Sequence, residues 1–200
     1  MLRYSYIHNI ILSILSTPGD ICEFGTWKGA TAVYIAKMLD EYEPQSTRKI
    51  IVFDNFSGLP KPSDADNKFA NQAVGEYKGD LDSMRFIIDS FDLWHRIELV
   101  EGDAVTSVGE YFKEKDYLLI SLAYFDFDLY EPTISAWKAI KENMSNPSII
   151  CFDEGLDQEH WVGEYKAAKE IIRDLSSMGR TYKLESNNTS RQPELTIRLE

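Results

Sequence analysis

Short apolar runs alternate with stretches of helical periodicity along this chain. An amphipathic helix is predicted at the N-terminus, ending at Pro18-Gly19. Ile21 to Phe24 reads as a strand, followed by a turn and a helix from about Gly29 to Leu39. Lys49 to Phe53 is a second strand running into Asp54, and Ile97 to Val100 a third. A helix is predicted from Ser83 to Phe91, with Met84, Ile87, Ile88 and Phe91 on one face. A long apolar strand is expected from Tyr117 to Phe127, a helix from Pro132 to Met144 and a fifth strand from Ser148 to Phe152. Ala167, Ala168, Ile171, Ile172 and Leu175 recur at helical spacing within a helix from Gly163 to Ser177. Thr181 to Leu184 and Leu195 to Leu199 are more polar and joined by a polar turn, Glu185 to Gln192, as in an antiparallel hairpin.

Apolar strands alternating with helices imply a mainly parallel sheet covered on both faces. The predicted fold is therefore α/β: one domain over residues 1–200, with a seven-stranded, Rossmann-like sheet ending in an antiparallel hairpin. One connection is unusually long. The segment from Ser57 to about Gly79, with its flank to Leu81, is rich in proline, asparagine and aspartate. A loop of that length in a compact domain reads as a lid, and Phe69 and Tyr77 are placed to help cover a ligand.

In open parallel sheets the ligand sits beyond the carboxyl ends of the strands. Each of the five central strand ends carries an acid: Glu23, Asp54, Asp103, the pair Asp126 and Asp128, and the pair Asp153 and Glu154. The first turn, Gly25-Thr26-Trp27-Lys28-Gly29, allows a tight bend and close backbone approach. It is neither a GxGxxG dinucleotide fingerprint nor a GxxxxGK[ST] phosphate loop. An acid beside such a turn suits an ammonium rather than a phosphate. Asp54 is placed for ribose hydroxyls and Asp103 for an adenine amino group. A zwitterionic nucleoside, S-adenosylmethionine, satisfies all three. The plainer roles are a strand-to-helix turn for the glycines and helix or turn caps for the two aspartates.

Charge narrows the partners. The chain has 33 Asp+Glu against 21 Lys+Arg, a formal net charge of -12. That balance opposes nucleic acid and anionic membranes, and a small-molecule partner is expected instead. Hydrophobic residues make up 44%, enough for a packed core. Cys22 and Cys151 lie in apolar runs and read as reduced, buried thiols. With no apolar run near the ~20 residues that span a bilayer, a cytoplasmic protein is expected. The amphipathic N-terminal helix is compatible with a homodimer.

The motifs resemble a known family. EFGTWKGAT resembles motif I of class I S-adenosylmethionine-dependent methyltransferases, and VFDNFSGLP the D-S-F-x-G-L-P segment of the macrocin O-methyltransferase (TylF-like) family. GEYKGDLDSMR, IELVEGDA and YFDFDLYEPTISAW match that family in order, the last resembling its D-x-D-L-Y-x-x-T signature. The resemblance implies a class I methyltransferase fold and an S-adenosylmethionine site at Glu23, Gly25, Thr26, Trp27, Gly29, Asp54, Asn55, Phe56, Gly102, Asp103 and Ala104. It also implies a divalent metal, usually magnesium, held by Asp126, Asp153 and Glu154, the last replacing the second aspartate of many relatives. Asp128 falls at the family's proposed base.

The chemistry this implies is in-line methyl transfer to a hydroxyl, with a proton taken by Asp128 or His160. His160 has an equally plain role as a surface or packing residue. The expected acceptor is a small polyhydroxylated molecule, a sugar or glycosylated metabolite. A catechol-type enzyme acting on phenols and a non-catalytic nucleoside-binding protein are the alternatives.

Overall fold

The computed structural model describes residues 2–187 and 194–200. In chain order the elements are α1 (Leu2–Ile14), β1 (Asp20–Phe24), α2 (Ala30–Tyr42), β2 (Ile50–Asp54), α3 (Lys68–Gln72), α4 (Leu81–Ser90), β3 (Ile97–Glu101), α5 (Ala104–Glu114), β4 (Ile120–Phe125), α6 (Tyr130–Ile140), β5 (Met144–Phe152), α7 (Val162–Ser177), β6 (Tyr182–Asn187) and β7 (Glu194–Leu199). The strands form one sheet in the order β3-β2-β1-β4-β5-β7-β6. The first five pair in parallel, and β7 runs antiparallel to both β5 and β6. This is the expected mainly parallel sheet with a C-terminal hairpin.

Successive strand residues point to opposite faces, and each face has its own core. Cys22, Phe24, Ile51, Phe53, Ala123, Phe125, Ile150 and Phe152 pack against α5, α6 and α7. Ile21, Ile50, Val52, Leu122, Tyr124, Ile149 and Cys151 pack against α1, α2 and α4. Ile7, Ile10, Ile11 and Ile14 of α1 are at most 1% exposed. The apolar stripe of α1 is thus consumed by the chain's own core. Both cysteines are free and buried. Among the described residues, no helix is long and apolar enough to cross a membrane.

Four phenylalanines set the level of the strand ends. Phe53, Phe24, Phe125 and Phe152 are cross-strand neighbours on β2, β1, β4 and β5. Their rings stack at centroid distances of 5.3, 4.6 and 5.1 Å. Such aromatic neighbours add to sheet pairing. The residue after each is a candidate site residue: Asp54, Gly25, Asp126 and Asp153.

Several boundaries differ from expectation. Helix α5 is unanticipated: its apolar contact is one row, Ala104, Val108 and Phe112, too narrow to stand out among Thr, Ser and Gly. Helix α6 ends at Ile140, and Met144 opens β5 instead of closing the helix. Strand β4 begins only at Ile120, and Tyr117 and Leu119 are exposed. On α4, Met84 and Ile88 are buried, while Phe91 lies past the helix end and is exposed. Strand β7 is buried at five of six positions instead of alternating, because it lies inside the sheet. Strand β6 continues to Asn187, and the rest of the expected turn, residues 188–192, lies outside the described residues.

Candidate active site

The turn after β1 is built for close approach. Gly25 has φ +90°, and a Cβ there would stand 2.1 Å from the carbonyl oxygen of Asp126. Asp54 organises the turn: one carboxylate oxygen accepts from the Thr26 and Trp27 N–H groups at 2.8 and 3.1 Å, the other from Phe56 N–H at 2.7 Å. Trp27 is held at φ +50° and left 47% exposed.

A cavity opens above this turn. Of the expected cofactor residues, Gly25, Thr26, Trp27, Asp54, Asn55, Gly102, Asp103 and Ala104 line it. Glu23, Gly29 and Phe56 stand behind that wall. Glu23 is buried, accepts from the Thr26 hydroxyl at 3.0 Å, and is pushed up to about 8 by burial. Gly29 is the left-handed N-cap of α2, where a Cβ would meet the Met84 sulfur. Phe56 belongs to the α1-side core. Asp103 lines the cavity and also caps α5, accepting from Val105 N–H at 3.0 Å.

Acids gather at the ends of β4 and β5, and Arg3 of α1 reaches them. Its Nη2 lies 2.8 Å from Asp126 Oδ2, 3.2 Å from Asp153 Oδ1 and 3.2 Å from the Tyr124 hydroxyl. Tyr124 donates to Asp153 Oδ1 at 2.6 Å. Burial raises the proton affinities of these acids, and one guanidinium among several carboxyl groups does not offset it. Asp126 is pushed up to about 7 and Glu154 to about 8, by burial first and neighbouring Asp153 second. Asp128 is held well above the usual carboxylate range by burial, then by Asp126, Glu164 and Glu154. Asp128 adopts φ +64°, a left-handed conformation uncommon outside glycine and short polar residues such as asparagine and aspartate. Such strain persists where surrounding structure imposes it.

Glu164 braces this turn. This fully buried carboxylate on α7 accepts from Asp128 N–H at 3.0 Å and Glu154 N–H at 2.9 Å. In return, Glu164 N–H donates to the Asp128 carbonyl at 3.2 Å. One side chain thereby clasps the loops after β4 and β5. The sequence reading missed both Arg3 and Glu164. A signal existed for Glu164, which precedes Ala167, Ala168, Ile171 and Leu175 on the buried stripe of α7.

The long loop after β2 contributes part of the cavity wall, and within it α3 is short and capped by Asn67. Gly58, Leu59, Pro60 and Tyr77 line the cavity. Tyr77 packs edge-on to Trp27 and Trp161, with ring centroids 5.9 and 6.0 Å apart. Asp66 pins the loop: it accepts from Tyr130 N–H at 3.0 Å, capping α6 from outside, and from Ser63 N–H at 2.8 Å. Phe69 stacks edge-on to Trp161 and His160.

His160 does not join the acids. Its side chain is 54% exposed and stands beside Asp157, 3.5 Å from a carboxylate oxygen. The expected metal set also departs from expectation. Asp153 and Glu154 line the cavity with Asp126, but Arg3 holds the oxygens of Asp126 and Asp153. Among the described residues, no group of three or more His, Cys, Asp or Glu is arranged to hold a metal ion. Oxygen ligands must converge within about 2.0–2.6 Å of such a cation, and a guanidinium fills that space. As they stand, these residues do not fit a divalent ion.

Known proteins share this architecture. The crystal structure of the calicheamicin methyltransferase CalS11 matches with TM-score 0.85 and 28% identity, over 99% of this chain and 79% of that chain. The O-methyltransferase NovP shares the fold at TM-score 0.78 and 15% identity, over 98% of this chain and 78% of that one. Mycinamicin III 3''-O-methyltransferase of Micromonospora griseorubida is 32% identical over 69 residues, 34% of this chain and 27% of that protein. The match thus spans about a quarter of that relative's length. The family described as macrocin-O-methyltransferase (TylF) matches residues 3–182. With most of its length inside that match, the chain belongs to the TylF macrocin-O-methyltransferase family.

Proposed function

We propose that this enzyme transfers the methyl group of S-adenosylmethionine to a hydroxyl of a small polyhydroxylated acceptor, a sugar or glycosylated metabolite. The observation that carries the proposal is the cavity itself. The Gly25–Trp27 turn, Asp54 and Asp103 line one part of it, and Asp126 and Asp128 another. A donor bearing a sulfonium and an ammonium suits a pocket this rich in carboxylates. Two relatives support the acceptor class: the mycinamicin enzyme, and a structure described as a TDP-rhamnose 3'-O-methyltransferase, 28% identical. Family membership disfavours a non-catalytic role, and no specific feature of the cavity favours a phenolic acceptor.

The reaction is an in-line displacement. The acceptor oxygen attacks the methyl carbon, the carbon–sulfur bond breaks, and the electron pair returns to sulfur. The products are S-adenosylhomocysteine, a methyl ether and one proton. Asp128 is the proposed proton acceptor, because it lines the cavity while His160 stands outside it. Burial and like charges raise its proton affinity, making its ionised form a better base. Arg3 offsets part of the negative charge on Asp126 and Asp153. The loop from Gly58 to Tyr77 shields the reacting groups from water, which strengthens the interactions inside.

Calorimetry with S-adenosylmethionine, followed by a methyl-transfer assay against nucleotide sugars and plain catechol, tests the reading. Micromolar donor binding and turnover of a nucleotide sugar are expected. No donor binding at millimolar concentration, or turnover of catechol alone, would overturn it.

A further inference from the structure

Arg3 lies in the first turn of α1. One and two turns on, Ile7, Ile10 and Ile11 lock α1 against the sheet. The guanidinium therefore reaches Asp126 and Asp153 from a fixed base, across 123 and 150 residues of sequence. Both carboxylates lie at the ends of neighbouring strands, β4 and β5. Burial disfavours charge on Arg3, but Tyr124, Asp126 and Asp153 outweigh it and hold the guanidinium firmly protonated. Its Nε–H, in contrast, is buried without a hydrogen-bond partner. The contacts to the acids all run through Nη2, so charge and not a full set of hydrogen bonds holds the group there.

We propose that Arg3 is the resident cation of this acid cluster, a tethered guanidinium that excludes a divalent ion from Asp126 and Asp153. The inference rests on reading this cavity as the methyl-transfer site. A nitrogen at 2.8 and 3.2 Å from the two carboxylates fills the volume a divalent ion would need. Two cations sharing that volume would repel. Metal affinity at this site is therefore set from α1, an element distant in sequence from every carboxylate involved.

The test is Mn²⁺ binding, followed by electron paramagnetic resonance, in the parent protein and in Arg3→Ala and Arg3→Gln. Alanine favours the helix, and glutamine keeps most of the side-chain length; a thermal melt of each variant reports folding. Both variants are expected to bind Mn²⁺ at least tenfold more tightly than the parent. Asp126→Asn in the Arg3→Ala background should abolish that gain. Equal or weaker Mn²⁺ binding in both folded variants would overturn the proposal, as would a gain that survives Asp126→Asn. Calorimetry with S-adenosylmethionine on the same samples separates this result from the site assignment: lost donor binding in the parent would count against the methyl-transfer reading and leave the Mn²⁺ comparison intact.

Discussion

Glu164 gives a direct measure of how firmly the two acid-bearing loops are clasped. Its carboxylate is fully buried and accepts the N–H groups of Asp128 and Glu154. Glu164→Ala removes both acceptors and leaves two loop N–H groups unpaired. A buried donor left unsatisfied costs about 1–3 kcal/mol, so the pair amounts to about 2–6 kcal/mol. In a chain of this size each kcal/mol lowers the melting temperature by about 2–4 °C, placing the drop between roughly 4 and 24 °C. Glu164→Gln keeps the volume and one acceptor oxygen, so about half the loss is expected, about 1–3 kcal/mol. Turnover should fall more than stability does, because Asp128 loses the bond that holds its left-handed backbone. A misplacement near 1 Å can cost about a hundredfold in rate. Thermal denaturation and donor-saturated turnover, read as S-adenosylhomocysteine release, measure both effects. The exposed Glu110 serves as control, where alanine should stay within about 0.5 kcal/mol of the parent. A Glu164→Ala protein melting within about 2 °C of the parent, with unchanged kcat, would refute the reasoning.

Three further outcomes are expected. Asp128→Asn keeps a residue that tolerates φ +64°, so the melting temperature should hold while kcat falls about a hundredfold or more; full turnover would remove Asp128 as the base. Trp27→Ala, at a half-exposed cavity wall, should weaken donor binding in calorimetry with little change in melting temperature, and unchanged affinity would assign Trp27 to the surface alone. Asp126 and Glu154, raised to about 7 and about 8, keep protons in the fold that the unfolded chain releases near pH 4. Their stabilising contribution is therefore complete below about pH 4 and is lost as pH rises through about 7 to 8. Asp40, Asp80, Asp157 and Asp174, held below the ordinary range, are ionised throughout that window and add no slope. The melting temperature of donor-free protein should fall from pH 6 to pH 8.5, less steeply in Glu154→Gln; a flat or rising profile would contradict the assignment.

The strand ends were legible because a buried parallel strand is a continuous apolar run with an abrupt polar stop. Phe53-Asp54 and Phe152-Asp153 show that edge in two adjacent letters. Helix α5 was not legible, since a helix touching the core along one row leaves no wide stripe to detect. Its cap, Asp103, could be read as a ligand because capping and binding call for the same short carboxylate. Arg3 and Glu164 escaped for another reason. Their partners lie 123 and 36 residues away, and nothing in local periodicity encodes a contact made only after the sheet has closed. The loop was recognisable by length and composition, but its anchor, the bond from Tyr130 N–H at the start of α6 to loop residue Asp66, depends on a meeting 64 residues apart.

The position of β7 bears on the order in which the site is completed during synthesis. The last strand in sequence lies inside the sheet, bonded to β5 on one side and β6 on the other. Until residues 194–199 leave the ribosome, β5 presents a bare edge of unpaired N–H and C=O groups. Phe152, facing Leu195 in the finished sheet, is the residue directly before Asp153 and Glu154. The chain can therefore pair β1 to β4 early, while β5, the strand that leads into two of its site acids, waits for residues 194–199. Slowing translation through residues 194–199 should lengthen the life of an intermediate whose β5 edge is bare.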